Sequence, residues 1–250
     1  MKRRAIAAWI AYDIAVHGYG LMIPAVGFAI YFTSFVAAGH PSADGLWSLA
    51  VAIPLVAAGL LGPWLGAVAD AGGHRRAMLA GATMICAAAS ALLVTLGQGD
   101  IVAGMLLFIA AQLACLLATA LYNSYLPEIS TPQTSARISG MAWGLSYLGG
   151  IACFLLCLPF IRAGVVAGNE AYFANAFLVT AVFFLTLGMG SLPGFPAEKK
   201  VERSGERINP YQCLWQTMRS WQNEREIPRF LLAYYLINDC LLYTSDAADE

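Results

Sequence analysis

Charge is scarce in this sequence. Asp, Glu, Lys and Arg make up 12% of its 250 residues, against roughly 25% in an ordinary soluble domain. That excludes a water-soluble globular protein, and the excess of apolar residues excludes disorder. Histidine is scarcer still: His17, His40 and His74 are all there is, too few for a His-rich metal site. The cysteines (Cys86, Cys115, Cys153, Cys157, Cys213 and Cys240) form no CxxC or Cys/His metal spacing and read as small packing residues. Gly-x-Ser-Gly and His-Glu-x-x-His are missing, and Gly-x-Gly-Asp occurs once, as Gly97-Gln98-Gly99-Asp100, between two long apolar runs rather than inside one. No enzyme, no cofactor and no nucleic-acid partner is expected. Rings of polar residues and pore repeats are missing too, which argues against a channel.

What is abundant is apolar sequence. Apolar residues make up 59% of the chain, and its mean hydropathy is +0.65. From Ala5 up to Asp44 the one charge is Asp13, and residues 45–69, 77–99, 101–127, 138–161 and 171–197 hold none. Each of these six segments is long enough to cross about 30 Å of hydrocarbon at about 1.5 Å per residue. Buried helices of a soluble protein would keep polar faces, and these have none. The basic start, Lys2-Arg3-Arg4, resembles a signal peptide, but the apolar stretch that follows exceeds an h-region of about 7–15 residues and carries Asp13 and His17. It therefore reads as a retained first span. Of 14 Lys and Arg residues, all except Arg162 fall before span 1 or in the 2–3, 4–5 and 6–7 connections. The positive-inside rule then places the N-terminus and the long 6–7 connection in the cytoplasm, as in a bacterial inner (plasma) membrane protein.

The expected organisation is a six-span unit over 1–192, a cytoplasmic linker over 193–227, the start of a seventh span over 228–241 and a non-native tail over 242–250. In the linker, Asn209 and Pro210 read as an N-cap and first helical residue. Tyr211, Leu214, Trp215, Met218 and Trp221 then recur at helical spacing. This amphipathic helix either lies in the lipid interface or packs on the inner face of the bundle. The seventh span stops after about ten residues, which would strand unpaired backbone in hydrocarbon. Its abrupt tail, YTSDAADE, resembles translated adaptor sequence, and the native chain is expected to continue past about Cys240.

Asp13 is the sharpest functional signal. It lies about 12 Å into span 1, where a carboxylate costs about 2.5–3.5 kcal/mol on insertion scales and needs a cavity or a partner. His17 follows at i+4 on the same helical face. Two readings stand. The pair is a proton or substrate-amine site, or it is structural and satisfied by a neighbouring helix, for instance by Gln112 of span 4. Asn238-Asp239 repeats the theme in span 7, and the preceding Ala-Tyr (11–12 and 233–234) hints at a parallel repeat. Tyr12, Asn123 and Tyr147 are further candidates for a cavity. In span 5, Gly140 and Gly144 form a small-xxx-small face suited to close helix packing.

Between spans 2 and 3 stands GAVADAGGHRR (66–76). Gly66 permits close helix approach, Asp70 marks the membrane surface, Gly72 and Gly73 permit a tight turn, and Arg75 and Arg76 anchor the cytoplasmic side. The pattern resembles the GxxxD-xx-G-x-R-R/K signature of the major facilitator superfamily. The resemblance implies that Asp70, Arg75 and Arg76 latch the cytoplasmic side against the other half of the protein. AWIAYD (8–13), YNSYLPE (122–128), SGMAWGLSYLGG (139–150) and FLLAYYLIND (230–239) extend the resemblance to the UMF1, or vacuolar-effluxer-like (Atg22-like), branch across 8–239. One departure is Ile14-Ala15-Val16-His17, where that branch commonly has a Trp-Ala-Asn-Ser-like run. Substrate choice is expected to differ if those positions touch substrate.

The resemblance implies an all-α membrane protein: the N-terminal half of a major facilitator fold, built as two inverted three-helix repeats, plus the start of a seventh helix. It also implies a secondary transporter of a small solute, with amino-acid efflux as an analogy from eukaryotic relatives. Alternating access would be proton-coupled through Asp13 and His17. The expected partners are the solute, H+, membrane lipid and the C-terminal half. A non-transporting membrane scaffold or sensor is the rival reading.

Overall fold

The computed structural model describes residues 2–72 and 74–196, together with the isolated helical positions 211, 212, 215, 229, 232, 233 and 236. Helix makes up 85% of it, and there is no strand among the described residues. Long runs without charge leave backbone hydrogen bonding as the one way to satisfy the main chain in hydrocarbon, and the helix does so within a single segment. Six helical stretches are long and apolar enough to cross a membrane: span 1 (Arg3–Val36), span 2 (Ala43–Gly66), span 3 (Arg75–Thr95), span 4 (Ile101–Ile129), span 5 (Ser135–Ile161) and span 6 (Glu170–Gly194). The protein is an integral membrane protein, and the expected six spans are all present.

Span 1 is not uniform. It is α-helical over Lys2–Gly20, widens to a π-helix over Leu21–Val26, returns to α over Gly27–Tyr31 and widens again over Phe32–Val36. Pro24 lies inside the first wide turn. It has no N–H for the ladder and its ring crowds the preceding turn, so a locally larger repeat accommodates it. The helix that carries span 2, Ala43–Gly72, absorbs Pro54 and Pro63 without such a change.

The packing follows a pattern. Span 1 packs on spans 5 and 6, span 4 packs on spans 2 and 3, and span 3 packs on span 6. Exchanging span 1 with 4, 2 with 5 and 3 with 6 maps this set of neighbours onto itself. Spans joined by short connections run antiparallel, so spans 1 and 4 point in opposite directions. The half is thus two inverted repeats of three helices, as expected. Span 2 is the least covered, with 11% of its apolar window buried, against 44% for spans 1 and 6.

Two aromatic clusters fill the interior. Toward the end of the bundle where span 1 finishes, Phe28, Tyr31, Trp47, Phe108 and Phe177 meet at ring separations such as 5.5 Å (Phe28–Phe177) and 4.6 Å (Trp47–Phe108). At the opposite end, Trp9, Tyr12 and Tyr122 stack at 5.5 and 5.1 Å. Close helix approach falls at different glycines from those expected. Among the described residues a Cβ at Gly140 or Gly144 would meet nothing within 4 Å, whereas one at Gly149 would stand 2.3 Å from Ile14 Cγ2. Span 5 therefore meets span 1 through Gly149, one to two turns further on, because that is where the two helix axes come nearest. Gly66 likewise meets nothing within 4 Å among the described residues, so no close approach is made there within this half.

The chain divides into two compact units, Met1–Glu202 and Arg203–Glu250. In the second, Tyr211, Gln212, Trp215, Arg229, Leu232, Ala233 and Leu236 are helical and exposed. The remaining residues of the amphipathic helix and of the seventh-span start, Asn238 and Asp239 among them, lie outside the described residues.

Candidate functional site

Asp13 is 2% exposed, and both of its oxygens are occupied. The Tyr122 hydroxyl donates to Oδ1, and Ser146 Oγ donates to Oδ2 at 2.7 Å. Tyr122 belongs to span 4 and Ser146 to span 5, so one carboxylate ties three spans together. An ionised carboxylate only accepts hydrogen bonds, and hydroxyl donors offset part of the cost of removing it from water. Gln112 plays no part: its Oε1 is buried without a hydrogen-bond partner among the described residues.

His17 sits one turn along. Its Nδ1 is 3.0 Å from the main-chain oxygen of Asp13 and 3.7 Å from Oδ1. A carbonyl oxygen can only accept, so Nδ1 carries the hydrogen. In the neutral ring that leaves the lone pair on Nε2. Among the described residues no other basic side chain reaches the Asp13 carboxylate within 4 Å. Tyr12, the residue before Asp13, faces another way: its hydroxyl meets Thr83 Oγ1 of span 3 at 2.8 Å, and Thr83 donates on to the Leu79 carbonyl at 2.7 Å.

A cavity of about 570 Å³ opens between spans 1 and 5 and is lined by His17, Gly20, Leu21, Tyr147, Gly150 and Ile151. Asp13 does not line it; His17 stands between the two. The imidazole is flanked by Tyr147 and Trp143, with ring centroids 5.6 and 6.3 Å away. Those two rings meet edge to face at 5.7 Å, and both are more than half exposed. Of the expected candidates, the structure brings together Asp13, His17 and Tyr147. Asn123 is exposed at the end of the helix Ile101–Asn123 and does not line the cavity. Tyr122, Ser146, Thr83 and Trp143 were not singled out by sequence reasoning. Tyr122, Ser146 and Trp143 lie inside quoted motifs, but no spacing rule links span 1 to spans 4 and 5.

The 2–3 connection is held within this half. Arg75 forms an ion pair with Glu128, donates through Nη1 to the carbonyl and the hydroxyl of Ser124 at 3.1 Å each, and lies 4.0 Å over the Tyr125 ring. Arg76 donates to the main-chain oxygens of Phe195 and Pro196. The YNSYLPE turn after span 4 is therefore the seat of the first arginine, and the end of span 6 is the seat of the second. Gly73 and the side chain of Asp70 lie outside the described residues.

Comparison with known proteins agrees with this architecture. Residues 45–248 match the family described as vacuole effluxer Atg22 like. An uncharacterized MFS-type transporter, YxiO, from Bacillus subtilis (strain 168) is 23% identical over 243 residues, covering 93% of this chain and 56% of the relative. The chain thus spans about half the length of the curated relative it matches. No solved structure matches it. With six apolar spans in two inverted repeats, and a family match over most of its length, the chain belongs to the Atg22-like vacuole effluxer family of the major facilitator superfamily.

Proposed function

We propose that the protein is a secondary transporter that moves a small solute across a membrane by alternating access and is driven by protons through Asp13 and His17. The observation that carries this reading is a carboxylate buried inside span 1, bonded from two other spans, one turn from a cavity-facing histidine. Protonation turns one Asp13 oxygen into a donor, so one of the two hydroxyls must turn away or reverse its bond. The attachment of span 1 to span 4 or span 5 then changes with the charge on one group, as a coupled transporter requires. His17, whose Nδ1 donates to the Asp13 main-chain oxygen and lies 3.7 Å from the carboxylate, opens to the cavity and is the route by which the proton arrives. The Arg75–Glu128 pair and the two carbonyls under Arg76 hold the 2–3 connection firm on what the charge bias makes the cytoplasmic side.

The family and the relative's name support a transporter, and the family's description supports efflux as the direction. The charge bias supports a cytoplasmic N-terminus in a bacterial cell membrane. The test is flux driven by a pH gradient in proteoliposomes holding the full protein. Asp13→Asn should abolish coupled transport while the protein still reaches the membrane. Normal transport by that variant across about pH 5–8 would make Asp13 structural. Loss of transport by the unaltered protein, with a partner still bound, would favour a scaffold or sensor.

A further inference from the structure

The chemistry of the cleft beside His17 points to one class of ligand. Between their ends the six spans hold no Lys or Arg, and one acidic residue, Asp13. An anionic group entering the cavity meets no counter-charge from this half, whereas a cationic group has a carboxylate one residue behind the wall. His17 is the side chain between them. Because its Nδ1 donates to the Asp13 main chain at 3.0 Å, its Nε2 is an acceptor, and no group among the described residues hydrogen-bonds it. Tyr147 lines the cavity, and Trp143, outside the lining residues, stands edge to face with both His17 and Tyr147; both rings are more than half exposed, and aromatic faces attract cations through the ring quadrupole. The cavity of about 570 Å³ falls within the usual range for a small-molecule site, roughly 300–1,000 Å³.

We propose that this cleft binds the ammonium group of a small organic amine. His17 Nε2 accepts an ammonium N–H, the faces of Trp143 and Tyr147 sit against the charge, and the apolar wall formed by Leu21 and Ile151 takes the carbon skeleton. The proposal rests on reading Asp13 and His17 as the substrate and coupling site, and it adds what the substrate must carry. It also assigns Trp143, which sequence reasoning did not single out, to substrate contact. A primary or secondary amine is favoured over a quaternary one, because a quaternary nitrogen has no hydrogen for Nε2.

The fold supplies a clean control. Gly20 lines the cavity in ordinary helical geometry, with φ −59°, and a Cβ built there meets nothing within 4 Å. Gly20→Leu therefore fills the cleft without straining the bundle. The experiment is isothermal titration of the full protein in lipid nanodiscs with three probes sharing one ring: phenethylamine, 2-phenylethanol and 3-phenylpropanoate. Phenethylamine should bind about ten-fold more tightly than the alcohol, and the carboxylate more weakly than either. N,N,N-trimethylphenethylammonium should be weaker than the primary amine. Trp143→Ala and His17→Phe should each weaken amine binding by about five-fold. Gly20→Leu should abolish binding with an unchanged thermal unfolding midpoint. Equal binding of the alcohol or the carboxylate, no binding of the amine, or full amine binding by Gly20→Leu would each overturn the proposal. Proton-gradient flux separates this from the transport reading. Coupled flux without amine selectivity removes the substrate class alone; amine binding without coupled flux removes the coupling reading alone.

Discussion

A carboxylate held by two hydroxyls, with one histidine a turn away, is a finely balanced arrangement at the scale of single residues. Ser146→Ala removes the donor to Asp13 Oδ2. Tyr122→Phe removes the donor to Oδ1 while keeping the ring against Trp9 and Tyr12. A hydrogen bond to a charged group is worth about 1.5–3 kcal/mol in soluble proteins, and bonds between membrane helices average about 0.6 with a maximum near 1.7. Each variant is therefore expected to lose about 1–2 kcal/mol, read as a lowered thermal unfolding midpoint in detergent. In an Asp13→Asn background the Ser146→Ala penalty should roughly halve, because charge-assisted bonds are about twice as strong as neutral ones. An unchanged penalty in that double-mutant cycle would mean that the hydroxyl does not act on the carboxylate.

Elements meet where backbone can approach backbone, and two glycines in one helix make the contrast testable. A Cβ at Gly149 would press on Ile14 at 2.3 Å, on the β-branched part of the side chain, which has little freedom to yield. Gly149→Ala should force spans 1 and 5 apart and cost about 1–3 kcal/mol. Gly144→Ala enters open space and should be neutral or slightly stabilising, because alanine suits a helix interior better than glycine by about 0.8–1.0 kcal/mol. Thermal unfolding of the two variants side by side distinguishes them, and equal destabilisation would contradict the packing described. The wide turn at Leu21–Val26 belongs to the same scale. It begins at the cavity wall, so the wide turn that contains Pro24 also shapes the cleft beside His17.

For the whole molecule, the repeat symmetry and the charge bias make one statement about orientation. Short connections alternate the direction of six spans, so an even number returns the 6–7 connection to the side of the N-terminus. Thirteen of 14 Lys and Arg residues fall on that side, which is the cytoplasmic side in the proposed orientation. A cysteine placed before Ala5, or in 197–227, should resist an impermeant maleimide added to intact cells. A cysteine at 163–168, beside Arg162, should react. Labelling before Ala5 and in 197–227, with none at 163–168, would invert the topology.

Sequence alone determined the class, the spans and the family, since each depends on composition or on local pattern. Hydropathy over about 20 residues decides whether a helix crosses hydrocarbon, and the position of Lys and Arg biases its direction. A charge inside an apolar run is expensive wherever it faces, which is why Asp13 and His17 stood out. What satisfied that charge was decided by tertiary structure. Tyr122 and Ser146 reach it across 109 and 133 residues, and Gln112, an equally plausible partner by type, points elsewhere. Gly149 rather than Gly140 or Gly144 became the contact for a related reason: small-residue spacing marks a face able to pack closely, but the crossing point depends on where a second helix arrives. Likewise the arginines of 66–76 were legible as a cytoplasmic motif, whereas their seats on Glu128, Ser124 and the Phe195 carbonyl were not. Local pattern records what each segment can do. The partner is set by packing three spans around one buried group, and that requires the fold.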